Sequence, residues 1–111
     1  LKTREFEKAH TKTIMSILFC ADNKHMITAG LDGKLIYWDY TVGIIQKRWE
    51  ALKPILDAQI VENEKVALIT EREFVIYDFS LNKILFSTTS QTSLSEVAVA
   101  ANEKKIVIGT S

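Results

Sequence analysis

The sequence predicts an all-β chain built of repeated four-stranded antiparallel units. Three observations carry that expectation. Ile, Val and Thr number 13, 7 and 10, so 30 of the 111 residues are β-branched, and such side chains suit a pleated, half-buried surface better than a helix. Apolar runs of five to seven residues alternate with short polar clusters. The whole pattern then recurs at an interval near 40 residues.

The first unit can be followed strand by strand. Ile14 to Phe19 is apolar and is followed by the polar Ala21-Asp22-Asn23-Lys24. His25 to Gly30 comes next, then Leu31-Asp32-Gly33-Lys34, whose Asp-Gly pair is a hairpin-turn signal. Leu35 to Asp39 forms a third run, Tyr40 to Gly43 turns the chain, and Ile44 to Trp49 closes the set. Four strands joined by three tight turns make an antiparallel meander. With one Pro and four Gly in the chain, most turns fall to Asn, Asp, Ser and Lys.

Between Pro54 and Phe74 a helix competes, because Pro is favoured at a first helical position. The apolar residues do not keep a helical period. Ile55, Leu56, Ala58, Ile60 and Val61 give way to Glu62-Asn63-Glu64-Lys65, and Val66 to Ile69 returns as an unbroken block. Strands are the expectation here too, although short apolar runs are ambiguous by periodicity alone.

The repeat strengthens it. At a shift of 39, Trp38 meets Tyr77, Asp39 meets Asp78, Tyr40 meets Phe79, Thr41 meets Ser80, and Gly43 meets Asn82. Gly and Asn are the residues best able to take a positive φ. At a shift of 80, Ile17 meets Val97, Phe19 meets Val99 and Met26 meets Ile106. The middle unit aligns at shifts of 41 and 40, with its second turn, around Glu71 and Arg72, expected to be about one residue shorter. Four short strands at this period are the signature of a propeller blade. The expected division is the last strand of a preceding blade in 1–8, a blade in 9–50, a degenerate blade in 51–90 and the first two strands of a further blade in 91–111. The chain is therefore expected to be a β-propeller fragment; it starts at Leu1 and ends on Thr110 and Ser111, which agrees with a piece of a longer protein.

The first full unit resembles a blade of the WD-repeat β-propeller family. The family's Gly-His pair before the first strand appears as Ala9-His10, its second-strand Ser or Thr as Thr28, its turn Asp as Asp32, and its closing Trp-Asp as Trp38-Asp39. The likeness runs along essentially the whole chain, but only this unit matches closely; the second keeps Tyr77-Asp78 and lacks the His, the Thr and the turn Asp. The resemblance implies a structural hydrogen-bond tetrad of His10, Thr28, Asp32 and Trp38, with the Trp38 indole donating to Thr28, Thr28 linked to His10, and His10 to Asp32. Those residue types can satisfy one another fully. His, Thr and Asp together also suggest a nucleophile activated by a base, but the blade context favours a lock between loop and strand, and no enzyme activity is expected.

Other chemistry finds little support. Lys plus Arg and Asp plus Glu both number 14, for a net charge of zero, and general nucleic-acid and membrane-surface binders usually carry a basic excess. The pairs Lys47-Arg48 and Lys104-Lys105 are too small for a phosphate-tracking stripe. No apolar run reaches the roughly 18 residues of a membrane span, and the basic-apolar-small pattern of a signal peptide is not seen at the front, so none is expected. Cys20 is the single cysteine, so no disulfide forms within the chain and a reducing, intracellular setting is expected. His10 and His25 flank it without metal-ligand spacing. Neither a metal nor a cofactor is expected, since a glycine-rich phosphate loop is also absent, as is the Phe-Arg-Arg-Gly signature of phosphoinositide-binding propellers. Glu62, Glu64, Glu71 and Glu73 read as solvated turn charges rather than acid–base partners. Trp49 is expected to pack at the end of an outer strand.

Function is therefore expected on loops, which rigid scaffolds present to partners. The resemblance puts partner-contact positions at Thr13, Met15 and Leu31 in the first blade, with Met15 and Leu31 exposed, and Arg72 near the Leu31 position of the second. The expected role is a protein–protein interaction scaffold within a complex, binding proteins or peptides; an RNA- or ribosome-associated propeller is the alternative. Two and a half blades do not close a ring. Further blades must come from the same chain or from a partner, and three copies would supply seven or eight.

Overall fold

The computed structural model describes residues 9–100 and 105–110. Ten strands lie among them: β1 (Ile14–Phe19), β2 (His25–Gly30), β3 (Lys34–Asp39), β4 (Ile44–Glu50), β5 (Asp57–Glu62), β6 (Lys65–Ile69), β7 (Glu73–Asp78), β8 (Lys83–Thr89), β9 (Leu94–Ala100) and β10 (Lys105–Thr110). The strand of a preceding blade expected in 1–8 lies outside the described residues. The helix that competed for Pro54 to Phe74 is absent, because β5, β6 and the start of β7 occupy that stretch. The first sheet runs β1-β2-β3-β4, the second β5-β6-β7-β8, and β9 pairs with β10. Every pairing is antiparallel.

The turns repeat in chemistry as well as in place. Asp22 closes the β1–β2 turn by accepting the N–H groups of Lys24 and His25, each at 2.9 Å. Asn23 beside it and Asn63 in the β5–β6 turn take φ of 56° and 50°, and the aligned pair Gly43 and Asn82 take 73° and 53°. Asp39 Oδ1 accepts the N–H and the hydroxyl of Thr41 at 3.0 and 2.5 Å. Asp78 does the same for Ser80 at 2.8 and 2.6 Å. An aspartate ending the third strand thus builds an Asx turn into the fourth. The one-residue shortening of the second unit is taken from β6, which has five residues where β2 has six. The connections that follow, 31–33 and 70–72, are equal.

Position within the sheet sets the hydrophobic pattern. β2 and β3 are covered on both faces and buried almost throughout, so they read as continuous apolar runs. The flanking β1 and β4 alternate. Ile27, Leu35 and Tyr37 of the first sheet pack against Ala58, Leu68 and Tyr77 of the second, and Trp49 stacks on Tyr77 with ring centroids 4.9 Å apart. Ala67, Ile69 and Phe74 of the second sheet meet Leu94 and Val97 of β9. Each large apolar side chain removed from water in this way stabilises the stack by roughly 1.5–3 kcal/mol. Asp57 at the start of β5 touches all three layers: Oδ1 accepts the Ser16 hydroxyl of β1 at 3.4 Å, and Oδ2 accepts the Val97 N–H of β9 at 2.9 Å.

Candidate functional site

The sequence singled out His10, Thr28, Asp32 and Trp38, which lie before β1, within β2, in the β2–β3 turn and within β3. The fold brings all four together. Trp38 Nε1–H donates to Thr28 Oγ1 at 2.9 Å. Thr28 Oγ1 lies 2.7 Å from His10 Nε2, and His10 Nδ1 lies 3.1 and 3.2 Å from the two oxygens of Asp32. One proton arrangement satisfies every contact: His10 protonated on Nδ1 donates to Asp32, Thr28 donates to Nε2, and Trp38 donates to Thr28. Asp32 also accepts the backbone N–H of Thr11 at 2.8 Å and of Lys34 at 3.1 Å. Desolvation would raise its pKa, but the His10 hydrogen bond and these two N–H groups outweigh that and hold it below the ordinary carboxylate value.

The geometry copies an Asp-His-hydroxyl relay, and its burial disarms it. Thr28 is 0% exposed, and its oxygen already accepts the indole proton, so a substrate carbonyl has no route to it. Trp38 and His10 are also buried. The arrangement pins the segment before β1 onto β2, β3 and their turn.

A residue the sequence reading passed over makes this possible. Gly30 ends β2, and a Cβ there would lie 2.7 Å from Asp32 Oδ1 and 2.8 Å from His10 Nδ1. The available signal was a glycine closing an apolar strand, which often marks a close approach.

The charged candidates are held apart by topology. Glu62 and Glu64 sit at the β5–β6 end of the second sheet, while Glu71 and Glu73 sit at the β6–β7 end. Glu64 lies 3.9 Å from Lys47, and Glu73 lies 3.6 Å from Lys53. A cleft of about 660 Å³ between the β1–β2 and β5–β6 turns is lined by Cys20, Asp22, His25, Tyr37 and Glu64, among others. His25 Nδ1 and Asp22 are 2.5 Å apart, and this bond first, then the two backbone N–H groups, lowers the Asp22 pKa to about 2. Burial, followed by the charges of Asp22 and Glu64, raises the Cys20 thiol to about 11. At neutral pH it is therefore no thiolate nucleophile. Among the described residues no group of three or more His, Cys, Asp or Glu is placed to hold a metal ion.

The remaining candidates lie at the opposite end of the sheets from this cleft. Thr13 and Met15 are exposed, and the Thr13 carbonyl accepts the Leu31 N–H at 2.9 Å. Leu31, expected to be exposed, is half-buried: its turn is held against Thr13 on one side, and the Gly30 carbonyl accepts the Ile55 N–H on the other. Arg72 is exposed in the corresponding turn of the second sheet.

No family model matches the sequence. Among solved structures, the chain superposes on the crystal structure of the WD40 β-propeller domain of Doa1 with a TM-score of 0.83, over 96% of this chain, at 18% identity. The fold is that of a segment of a WD40 β-propeller. A chain in the crystal structure of the mitotic checkpoint complex is similar with a TM-score of 0.78, over 91% of this chain, at 9% identity. The chain spans about a third of the length of these two chains, 36% and 33% respectively. In WD40 terms, the two four-stranded sheets are blades, with β1, β5 and β9 as successive first strands.

Proposed function

We propose that the chain acts as a non-catalytic protein–protein interaction scaffold, a WD-repeat propeller segment within a multiprotein complex. The observation that carries this reading is the sealed tetrad. Among the described residues, the group with the residue types and order of a catalytic relay is closed to substrate and locks the blade, with Thr28 wholly buried. What stays accessible at this end of the sheets is a surface carrying Thr13, Met15 near the start of β1, and Arg72, with Leu31 half-covered beside them. An exposed Met adapts to apolar partner surfaces, and Arg is favoured in interfaces. Further blades, from the same chain or from a partner, complete the ring in this proposal. The setting is inside the cell, on the strength of the single cysteine.

The test is quantitative capture by the intact protein and by a Met15→Glu, Arg72→Glu variant of equal thermal stability. Proteins retained at moderate salt by the first and lost by the second support the scaffold. Capture that is nuclease-sensitive and falls steeply between low and moderate salt points to an RNA-associated propeller instead. Retention of the same proteins by both forms removes this end of the sheets from the interface.

A further inference from the structure

The seam between the two four-stranded sheets opens, at the end away from Thr13 and Arg72, into the cleft of about 660 Å³. Cys20, Asp22 and His25 of the β1–β2 turn region line one side, Asn63 and Glu64 of the β5–β6 turn the other, and Tyr37 of β3 joins them. Both sides come from sheets present in full, so the cleft needs no further blade to form. Among the described residues its lining holds two carboxylates and no Lys or Arg. The side chains of Asp22 and Glu64 are 46% and 31% exposed. Lys47 stands 3.9 Å from Glu64, but its ammonium donates to the Phe79 carbonyl at 2.9 Å. After burial, the charges of Asp22 and Glu64 raise the Cys20 thiol. After burial and a Glu64 hydrogen bond, the same two charges help to raise the Tyr37 phenol. The two carboxylates thus act on one shared space. The His25 ring stacks on Tyr37 with centroids 4.8 Å apart, which gives that space an aromatic surface. The fold does not require this lining. Glu64 is the equivalent of Lys24, since their carbonyls accept the N–H groups of Phe79 and Tyr40 at 3.1 and 3.0 Å. His25 and Lys65 pair with the equivalent Asp39 and Asp78, and Tyr37 meets Ile76 at the shift of 39. Lys24 meets Lys104 at the shift of 80. The next seam would therefore set Lys65, Ile76 and Lys104 where this one has His25, Tyr37 and Glu64.

We infer that this cleft takes an arginine side chain of a partner peptide, its guanidinium held by the Asp22 and Glu64 carboxylates and lying against the His25–Tyr37 pair. Charge complementarity selects a cation. The combination of carboxylate and aromatic surface selects guanidinium, which is planar, bonds carboxylates through a fork of N–H groups and stacks on rings. An ammonium is a compact, strongly hydrated charge and satisfies only part of that set. The cleft lies among turns at the end of two blades, so a chain crossing the seam reaches it with one side chain. The inference rests on the scaffold reading in that its occupant is a protein segment, and it adds a docking site remote from Met15 and Arg72.

Amide chemical shifts of the intact protein are followed as a capped Gly-Gly-Arg-Gly-Gly peptide is added. Versions with citrulline or lysine in place of the arginine serve as comparisons. The arginine peptide should move the Cys20, His25 and Asn63 signals saturably. Citrulline has nearly the same shape without the charge, and its peptide should bind about tenfold more weakly. Glu64→Gln keeps an acceptor oxygen and removes a charge, and should raise the dissociation constant about three- to fivefold. Asp22→Asn keeps the turn's acceptor and should act in the same direction. The Met15→Glu, Arg72→Glu variant should bind the peptide as the parent does, so capture lost in that variant bears on the scaffold reading alone. Equal binding of the arginine and citrulline peptides overturns the inference, and so does equal binding by the parent and both neutralised variants. A peptide that moves no signal around the cleft at millimolar concentration also overturns it. A lysine peptide bound as tightly as the arginine one overturns the assignment to guanidinium.

Discussion

Asp57 and Val97 are joined across the seam between the second blade and β9, with Asp57 Oδ2 accepting the Val97 N–H at 2.9 Å. The other carboxylate oxygen faces the Ser16 hydroxyl of the first blade at 3.4 Å. Ser16 and Asp57 are repeat equivalents, 41 residues apart, and Val97 stands one residue past the equivalent of Ser16 at the shift of 80, so one side chain ties three successive first strands at nearly the same level. Asp57→Ala should lower stability by about 1–3 kcal/mol, the usual cost of leaving a partly buried donor unpaired. Amide exchange at Val97 should accelerate more than exchange in β2 or β3, which distinguishes a severed seam from general loosening.

The tetrad should behave as a unit. Trp38→Ala is expected to cost roughly 3–5 kcal/mol, as for other buried large aromatics. Thr28→Val keeps the shape but strands the indole N–H and His10 Nε2, at about 1–3 kcal/mol. The double variant should cost less than the sum, because both changes break the Trp38–Thr28 bond. Denaturant unfolding of the three proteins measures this; additive losses would show that the bond contributes nothing to the fold.

Gly30→Ala tests close approach without removing any hydrogen-bonding group. The new methyl must displace Asp32 or His10, which Asp32's backbone contacts resist, and overpacking of this kind typically costs about 1–3 kcal/mol. Loss of the His10 Nδ1–H signal in the NMR spectrum of a protein that still folds would place the damage at the tetrad.

Acid should erode the same lock. The folded-state pKa of Asp32 lies below the ordinary value of 3.8. Its contribution is therefore complete above that value and is lost as pH falls through the lower, folded value. Stability measured against pH for wild type and Asp32→Asn should show a gap at pH 5 to 6 that narrows below pH 4. A gap constant with pH would mean that the aspartate acts by shape alone.

Much of the fold was legible because strand periodicity, turn chemistry and the 40-residue interval agreed. Asp39 with Thr41 and Asp78 with Ser80 show why: the same local hydrogen bonds recur, so the repeat is visible even where the core side chains differ. Four residues of the first blade that lie far apart in the sequence could be set side by side because a family resemblance supplied their order. Asp57 had no such guide. Its role depends on which strands become neighbours across seams, and nothing local in Leu56-Asp57-Ala58 announces it. Leu31 failed to be exposed for a similar reason, since its turn is clamped by backbone bonds from Thr13 and Ile55 that pattern reading does not reveal. Gly30 carried a faint signal, but the atoms that forbid its Cβ come from His10 and Asp32.

The placing of the apolar seams has a consequence for how the molecule comes apart. The second blade packs against the first through one face and against β9 through the other, while the far face of the first blade holds its own buried cluster of Met26, Ile36 and Trp38 beside Ala9, and its β1 shows Met15, Ile17 and Phe19 to solvent. Stability in a stack of repeats is a sum of each unit and its nearest-neighbour seams. Opening should therefore be graded along the stack, with β6 and β7, which lie between two seams, exchanging their amides later than β1 and β4. A chain organised in this way has no single melting event to defend; it has an order of events, and that order is written in which blade touches two others.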